Sequence, residues 1–298
     1  MSNLNDSCIN LLPMWEQVMT VPILSYLIIQ YAVVLYTINY SDDTDYSNPF
    51  YTLITGTGIA DLGMLLFNVY GVLNDILGYQ YLGSKLDSFI GFLLYWSLGW
   101  YGTQIFVLIV TTNRLVAIIY NSYYARFTVT MAKILCLSAL LLSTVIVAPC
   151  YILIGFHYST RFKVSLFLQP GESSYTFLTR FINFDEIFGY TVSVYIVVVY
   201  VILSLYLIKF YKSIISRNAS YKKEVIFFVQ GVCFALLLCF VNTVHWYIAP
   251  YCGALNRIGN WVFAGSNPII YLILDGKLRH SIFRKLLRKD STQVTPTN

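Results

Sequence analysis

Uncharged windows recur along the chain at the length of a membrane crossing. They run from Gln17 to Ser41, Tyr46 to Asn74 with Asp61 inside, Ser88 to Asn113, Ile134 to Phe156, Ile187 to Ile208, Val225 to Pro250 and Ile258 to Leu274. A helix needs about 20 apolar residues to cross the hydrocarbon core, so the pattern predicts seven spanning helices. Neither strand-like alternation nor a transporter-type internal repeat interrupts it. The expected architecture is all-α: an extracellular tail over 1–17, a seven-transmembrane bundle over 18–274, an amphipathic surface helix over 275–289 and a disordered cytoplasmic tail over 290–298. A cleaved leader does not fit the start of the chain. Residues 1–17 hold Asp6, Pro13 and Glu16 but no Lys or Arg, and a signal peptide opens on a positive segment.

Composition agrees. Hydrophobic residues make up 57% of 298, charged residues 11%, and mean hydropathy is +0.65, where a soluble domain carries about 25% charged residues. The bases then set the orientation, because Lys and Arg gather on the cytoplasmic side of a membrane protein. With the N-terminus outside, fourteen of the nineteen fall inside: Arg114, Arg126 and Lys133; Lys209, Lys212, Arg217, Lys222 and Lys223; and Lys277, Arg279, Arg284, Lys285, Arg288 and Lys289. One inner loop, "SDDTDYSNP", dissents with three aspartates and no base. The net charge of +5 therefore needs no nucleic-acid partner; it belongs to a face turned toward anionic lipid and acidic protein. In "DGKLRHSIFRKLLRK" the apolar residues Leu278, Ile282, Phe283, Leu286 and Leu287 share one face of a helix and the bases occupy the rest, the pattern of a helix lying in the bilayer surface. On this topology Asn5 is the outer glycosylation sequon, while those at Asn39 and Asn218 face the cytosol.

Three polar features stand out within the spans. Arg114, in "TTNRLVAIIY", ends the third window; alone it reads first as a snorkelling anchor at the inner membrane edge. Asp61 sits near the middle of the second span, where an ionisable group is costly enough to signal function. In "NPIIY", Asn267 to Tyr271, Pro268 frees a backbone carbonyl and weakens the helix.

With "NPFYTLITGTGIADL", "TTNRLVAIIYNSYYARF" and "NPIIYLILDGKLRHSIF" in place, the chain resembles the rhodopsin-like G-protein-coupled receptors. More closely it resembles the nematode serpentine chemoreceptors of the srg superfamily, class V, over essentially its whole length. The resemblance implies a chemosensory receptor with a small odorant or pheromone ligand and a heterotrimeric G protein as partners, working in the plasma membrane of a sensory cilium. It implies that Arg114 is released on activation to contact the G protein, with Asn113 beside it where the family usually has an acid. Asp61, Thr103 and Asn267 would form a polar pocket that often holds sodium; no other cofactor or metal is expected. Tyr271, after Pro268, would swing inward behind an opened sixth helix. No cysteine is placed to join the third helix to the second outer loop, and the remaining outer pair, Cys8 and Cys252, is expected to tie the tail to the third outer loop.

A ligand site is expected in the outer half of the bundle. Counting up the third span from Arg114 reaches Trp100, Ser97 and Trp96; the sixth contributes His245 and Trp246; the seventh contributes Trp261 and Arg257 as an i, i+4 pair. Such a set suits a small, largely apolar ligand, with Arg257 available to a carboxylate; the other reading of these aromatics is an interfacial belt. An opsin is excluded by the absence of lysine from the seventh span. A membrane metallohydrolase is disfavoured because His157, His245 and His280 lie on different segments. The alternative class is a transporter or channel using Asp61 as an intramembrane ion or proton site.

Overall fold

The computed structural model describes residues 13–40, 46, 48–77, 83–159, 164–167, 172–215, 219–248 and 253–287. Asn5, Cys8, Asn218, Cys252 and the 290–298 tail lie outside them. Seven long helices follow one another: α1 (Pro13–Asn39), α2 (Pro49–Leu77), α3 (Ser84–Ile119), α4 (Val129–Leu153), α5 (Glu172–Ile215), α6 (Ala219–Thr243, extended by a π-wound turn Val244–Ile248) and α7 (Gly253–Leu274). A shorter helix, α8 (Gly276–Leu287), completes the described chain. The first six are long and apolar enough to cross a membrane. The seventh has 22 residues but carries Asn256, Arg257, Asn260 and Asn267, all buried. Its polar side faces its neighbours α1, α2 and α6, so it is shielded from lipid by packing and not by composition.

Burial separates the centre from the rim. In α2 and α3, 72% and 67% of the apolar stretch is buried; in α4 and α5 the share is 28%. Large apolar side chains of the rim helices, among them Leu137, Leu141, Ile187 and Val194, are exposed, which in a bilayer means turned toward acyl chains. A central α2–α3 pair thus carries most of the polar groups, with α7 closing over it.

The bundle is all-α as expected, and one short hairpin is added to it. After α4, Gly155 adopts φ +80°, a conformation that costs glycine little, and its N–H bonds to Cys150 O at 3.0 Å to end the helix. The chain then forms an antiparallel hairpin, β1 (Phe156–Ser159) and β2 (Val164–Phe167), with Phe156 opposite Phe167 and Tyr158 opposite Ser165. Four-residue strands are too short for the alternation that marks a strand in sequence.

The helix α8 follows α7 directly, and Asp275 makes the corner between them. Asp275 Oδ1 accepts the N–H groups of Lys277 and Leu278, each at 3.1 Å, while Oδ2 accepts Tyr51 Oη–H at 2.7 Å. Arg279 donates back to Leu272 O and Ile273 O at 3.1 and 3.2 Å, satisfying the carbonyls that end α7. Leu278 and Ile282 then bury against Val34, Ile38 and Phe50, whereas Phe283 remains exposed, positioned for lipid. Asp275→Ala removes the cap, a loss of about 1 kcal/mol. Hydrogen exchange in nanodiscs should show faster exchange in α8 while the α2 amides stay unchanged.

Candidate functional site

Polar side chains buried in the bundle lie at four levels. At the outer end, Arg257 in the second turn of α7 pairs with Asp75 near the end of α2 at 2.6 Å, the two side chains 1% and 2% exposed. Arg257 also donates to the Tyr158 hydroxyl of β1. The adjacent Asp87 of α3 accepts Tyr70 Oη–H at 2.5 Å and the Tyr158 N–H at 3.0 Å, and Ser88 Oγ accepts the Phe156 N–H at 2.8 Å. Trp96 Nε1 donates to Ser165 O at 3.1 Å. The hairpin can lie so close to α3 because residue 91 is glycine, where an added Cβ would come within 2.2 Å of Ser165 Oγ. Hydrogen bonds therefore bind the hairpin to α3 and α7, and the ion pair ties α7 to α2.

Below this clamp, buried aromatic and polar side chains of α3, α5, α6 and α7 form a cluster. Trp100 packs at a tilt on His245, centroids 4.2 Å apart, and its Nε1 donates to Asp185 Oδ1 of α5 at 2.9 Å. Trp246 lies edge-on to His245, and Tyr95 faces Asn256 and Asn260. Several buried polar atoms here have no hydrogen-bond partner within the protein: both amide atoms of Asn256 and Gln104, Asn260 Oδ1, His245 Nδ1, and the indole N–H groups of Trp246 and Trp261. Buried polar atoms are nearly always satisfied by protein or water, and this set offers donors and acceptors together.

At mid-bundle, Asp61 is fully buried. Its Oδ2 accepts from Tyr31 of α1 and Asn267 of α7, and Thr103 of α3 lies within its hydrogen-bonding reach. Asp61 Oδ1 and Asn267 Oδ1 accept nothing from the protein, leaving the oxygen ligands that a hard cation takes. These residues fit a sodium ion.

Toward the inner end, Arg114 is 0% exposed. Its Nη2 donates to Asn113 Oδ1 at 2.7 Å, and its guanidinium lies 3.8 Å from the centre of the Phe50 ring. That contradicts the snorkelling anchor, because α3 continues to Ile119 and the side chain turns into the bundle. Tyr271 is buried against Phe234 of α6, edge to face at 5.5 Å. Pro268 lies within an unbroken α7.

The sequence-derived sites are therefore partly regrouped. Trp100, His245 and Trp246 meet in the aromatic cluster, and Trp261 follows Asn260 along α7. Ser97 turns away, its hydroxyl 2.8 Å from Thr144 Oγ1 of α4, and Trp96 supports the hairpin. The cause is the π winding of α3 over Gly91–Gly102, which rotates residues away from positions counted at 3.6 per turn. Arg257 is committed to Asp75 and Tyr158, not held open for a ligand carboxylate. Tyr31, Phe50, Asp75, Asp87, Gln104, Tyr158, Asp185, Asn256 and Asn260 were not singled out in sequence. Asp185 had a signal, a carboxylate inside the long apolar run Tyr175–Lys209.

Removing one partner from a buried ion pair strands the other charge, at a cost of about 3–5 kcal/mol. Asp75→Asn should accordingly lower thermal stability in nanodiscs more than Asp75→Arg combined with Arg257→Asp, which restores opposite charges. Thermal denaturation of the two variants side by side checks the difference.

The family profile described as serpentine type 7TM GPCR chemoreceptor Srv matches residues 17–288. Among curated proteins, none matches the chain.

Proposed function

Because the chain belongs to the serpentine type 7TM GPCR chemoreceptor Srv family, a family of chemosensory receptors and not of enzymes, we propose that it binds a small extracellular ligand between α3, α5, α6 and α7 and activates a heterotrimeric G protein through Arg114. The observation that carries this reading is the vertical arrangement along one helix. Trp100, among buried polar atoms without partners, and Arg114, fully buried, both belong to α3, roughly 20 Å apart at 1.5 Å per residue.

A ligand that draws Trp100, His245 and the α7 amides together shifts α3 against α6 and α7. Phe234 and Tyr271 pack across the α6–α7 seam, so outward movement of α6 frees Tyr271 to swing inward and opens the floor beneath Arg114. The released guanidinium then meets the G-protein helix. Asp61, Thr103 and Asn267 would hold a sodium ion, whose charge would offset that of the carboxylate between α2, α3 and α7. The ligand is recognised by hydrogen bonds and aromatic contact. It does not need a carboxylate, since Arg257 already has one in Asp75. Fourteen of nineteen bases fall on the Arg114 side by sequence, which supports an extracellular N-terminus and, within this family, the plasma membrane of a sensory cilium.

Calcium imaging in a sensory neuron expressing the tagged protein, challenged with conditioned-medium fractions and volatile odorants, tests the reading. The wild type should respond, and surface-matched Arg114→Ala and Trp100→Ala proteins should not. A response that survives Arg114→Ala would overturn it. The restraint on Arg114 gives a second expectation. A carboxylate holds a guanidinium about 1 kcal/mol more tightly than an amide does, so Asn113→Asp should lower basal nucleotide exchange about fivefold, read as GTP binding by purified G protein without ligand.

A further inference from the structure

The inner ends of α3 and α4 leave a cavity of about 400 Å³ between them that does not include Trp100 or His245. Leu108, Ile109 and Val116 of α3 form its floor, and Met131 and Leu135 of α4 form one wall. The helical turn after α3 supplies the cytoplasmic rim, where Phe127 and Arg126 stand together. Met131 and Leu135 are 50% and 39% exposed, so the cavity opens sideways toward lipid. Its size falls within the range of about 300–1,000 Å³ typical of small-molecule sites.

From this geometry we infer that the cavity is a site for an anionic phospholipid of the cytoplasmic leaflet. One acyl chain lies along the α3–α4 groove and the headgroup phosphate meets Arg126. Three observations select this occupant. An apolar groove at membrane depth favours hydrocarbon over water. The single cation on its lining lies at the cytoplasmic rim, where a headgroup would be, and no described carboxylate is paired with it. A planar guanidinium is also the side chain best matched to phosphate. Neighbouring α5 shows the contrast: its exposed Val194, Val198 and Val201 form an uncharged face.

The site has a regulatory consequence that rests on the receptor reading. Asn113 also lines the cavity, and its Oδ1 accepts the hydrogen bond from Arg114. A lipid chain packed behind Asn113 holds that amide in place and so favours the sealed position of Arg114.

Binding can be measured without any signalling output. The full chain is reconstituted in nanodiscs containing phosphatidylserine with a diazirine in one acyl chain, or the matching phosphatidylcholine, then irradiated and mapped by mass spectrometry. Phosphatidylserine should label peptides spanning 108–116 and 127–135 about fivefold more than phosphatidylcholine does, the preference expected from one base near an anionic surface. Arg126→Gln should abolish that preference. Leu135→Trp, which fills the groove from a lipid-exposed position, should reduce labelling by both lipids there while leaving α5 labelling unchanged. Equal labelling by the two lipids, or labelling insensitive to Leu135→Trp, would overturn the site. Stronger labelling by diazirine palmitate than by the phospholipid would assign the groove to a free fatty acid and overturn the choice of occupant. None of these outcomes depends on a G protein, so the lipid site and the receptor reading stand or fall separately.

Discussion

A carboxylate at the centre of a membrane-spanning bundle has no water to fall back on, and the way Asp61 is satisfied organises the helices around it. Tyr31 of α1 and Asn267 of α7 both donate to it, while Thr103 of α3 lies beside it. Each hydrogen bond to a charged group contributes about 1.5–3 kcal/mol, and these partners come from different helices. The polar side of α7 can thus sit inside the bundle although the helix is less apolar than the other six. Once α7 is held there, Tyr271 reaches Phe234 on α6 and α8 leaves at the corner made by Asp275.

The same rule operates at the two ends with different consequences. Outside, Arg257, Asp75, Tyr158 and Asp87 satisfy one another and bind the hairpin to α2, α3 and α7. Such a clamp is specific in geometry yet reversible, unlike a disulfide, and it depends on burial of the pair. At the other end, Arg114 donates to the Asn113 amide and lies over the Phe50 ring. On the proposed function the first clamp persists and this second contact is released.

Much of this was legible in the sequence, and the parts that were not share a cause. Charge-free windows locate spans but, Asp61 apart, treat a carboxylate as a boundary. Asp75, Asp87 and Asp185 each fall one or two residues outside a window, yet each is buried in a helix whose end lies further on. Short local patterns fared better: Asn113 with Arg114, and Asn267 to Tyr271, carry their geometry within a turn or two of helix. Ser97 was misplaced because π winding is a tertiary outcome with no periodic signature, and the hairpin was missed because its strands are too short to alternate visibly. Partnership across helices, such as Tyr31 with Asp61 over thirty residues, leaves no trace in a single sequence.

The account's central claim is that Arg114 is sealed at rest and uncovered when α6 moves away from α3. Spin-label side chains introduced as non-canonical residues at Ser122, beside the inner end of α3, and at Val229 on α6 would spare the native cysteines. Pulsed electron–electron resonance in nanodiscs would then read the distance between them before and after addition of nucleotide-free G protein. The account predicts a lengthening on the order of 5 Å, about one helical turn, that is lost in Arg114→Ala. G-protein nucleotide exchange proceeding with no change in that distance would contradict it.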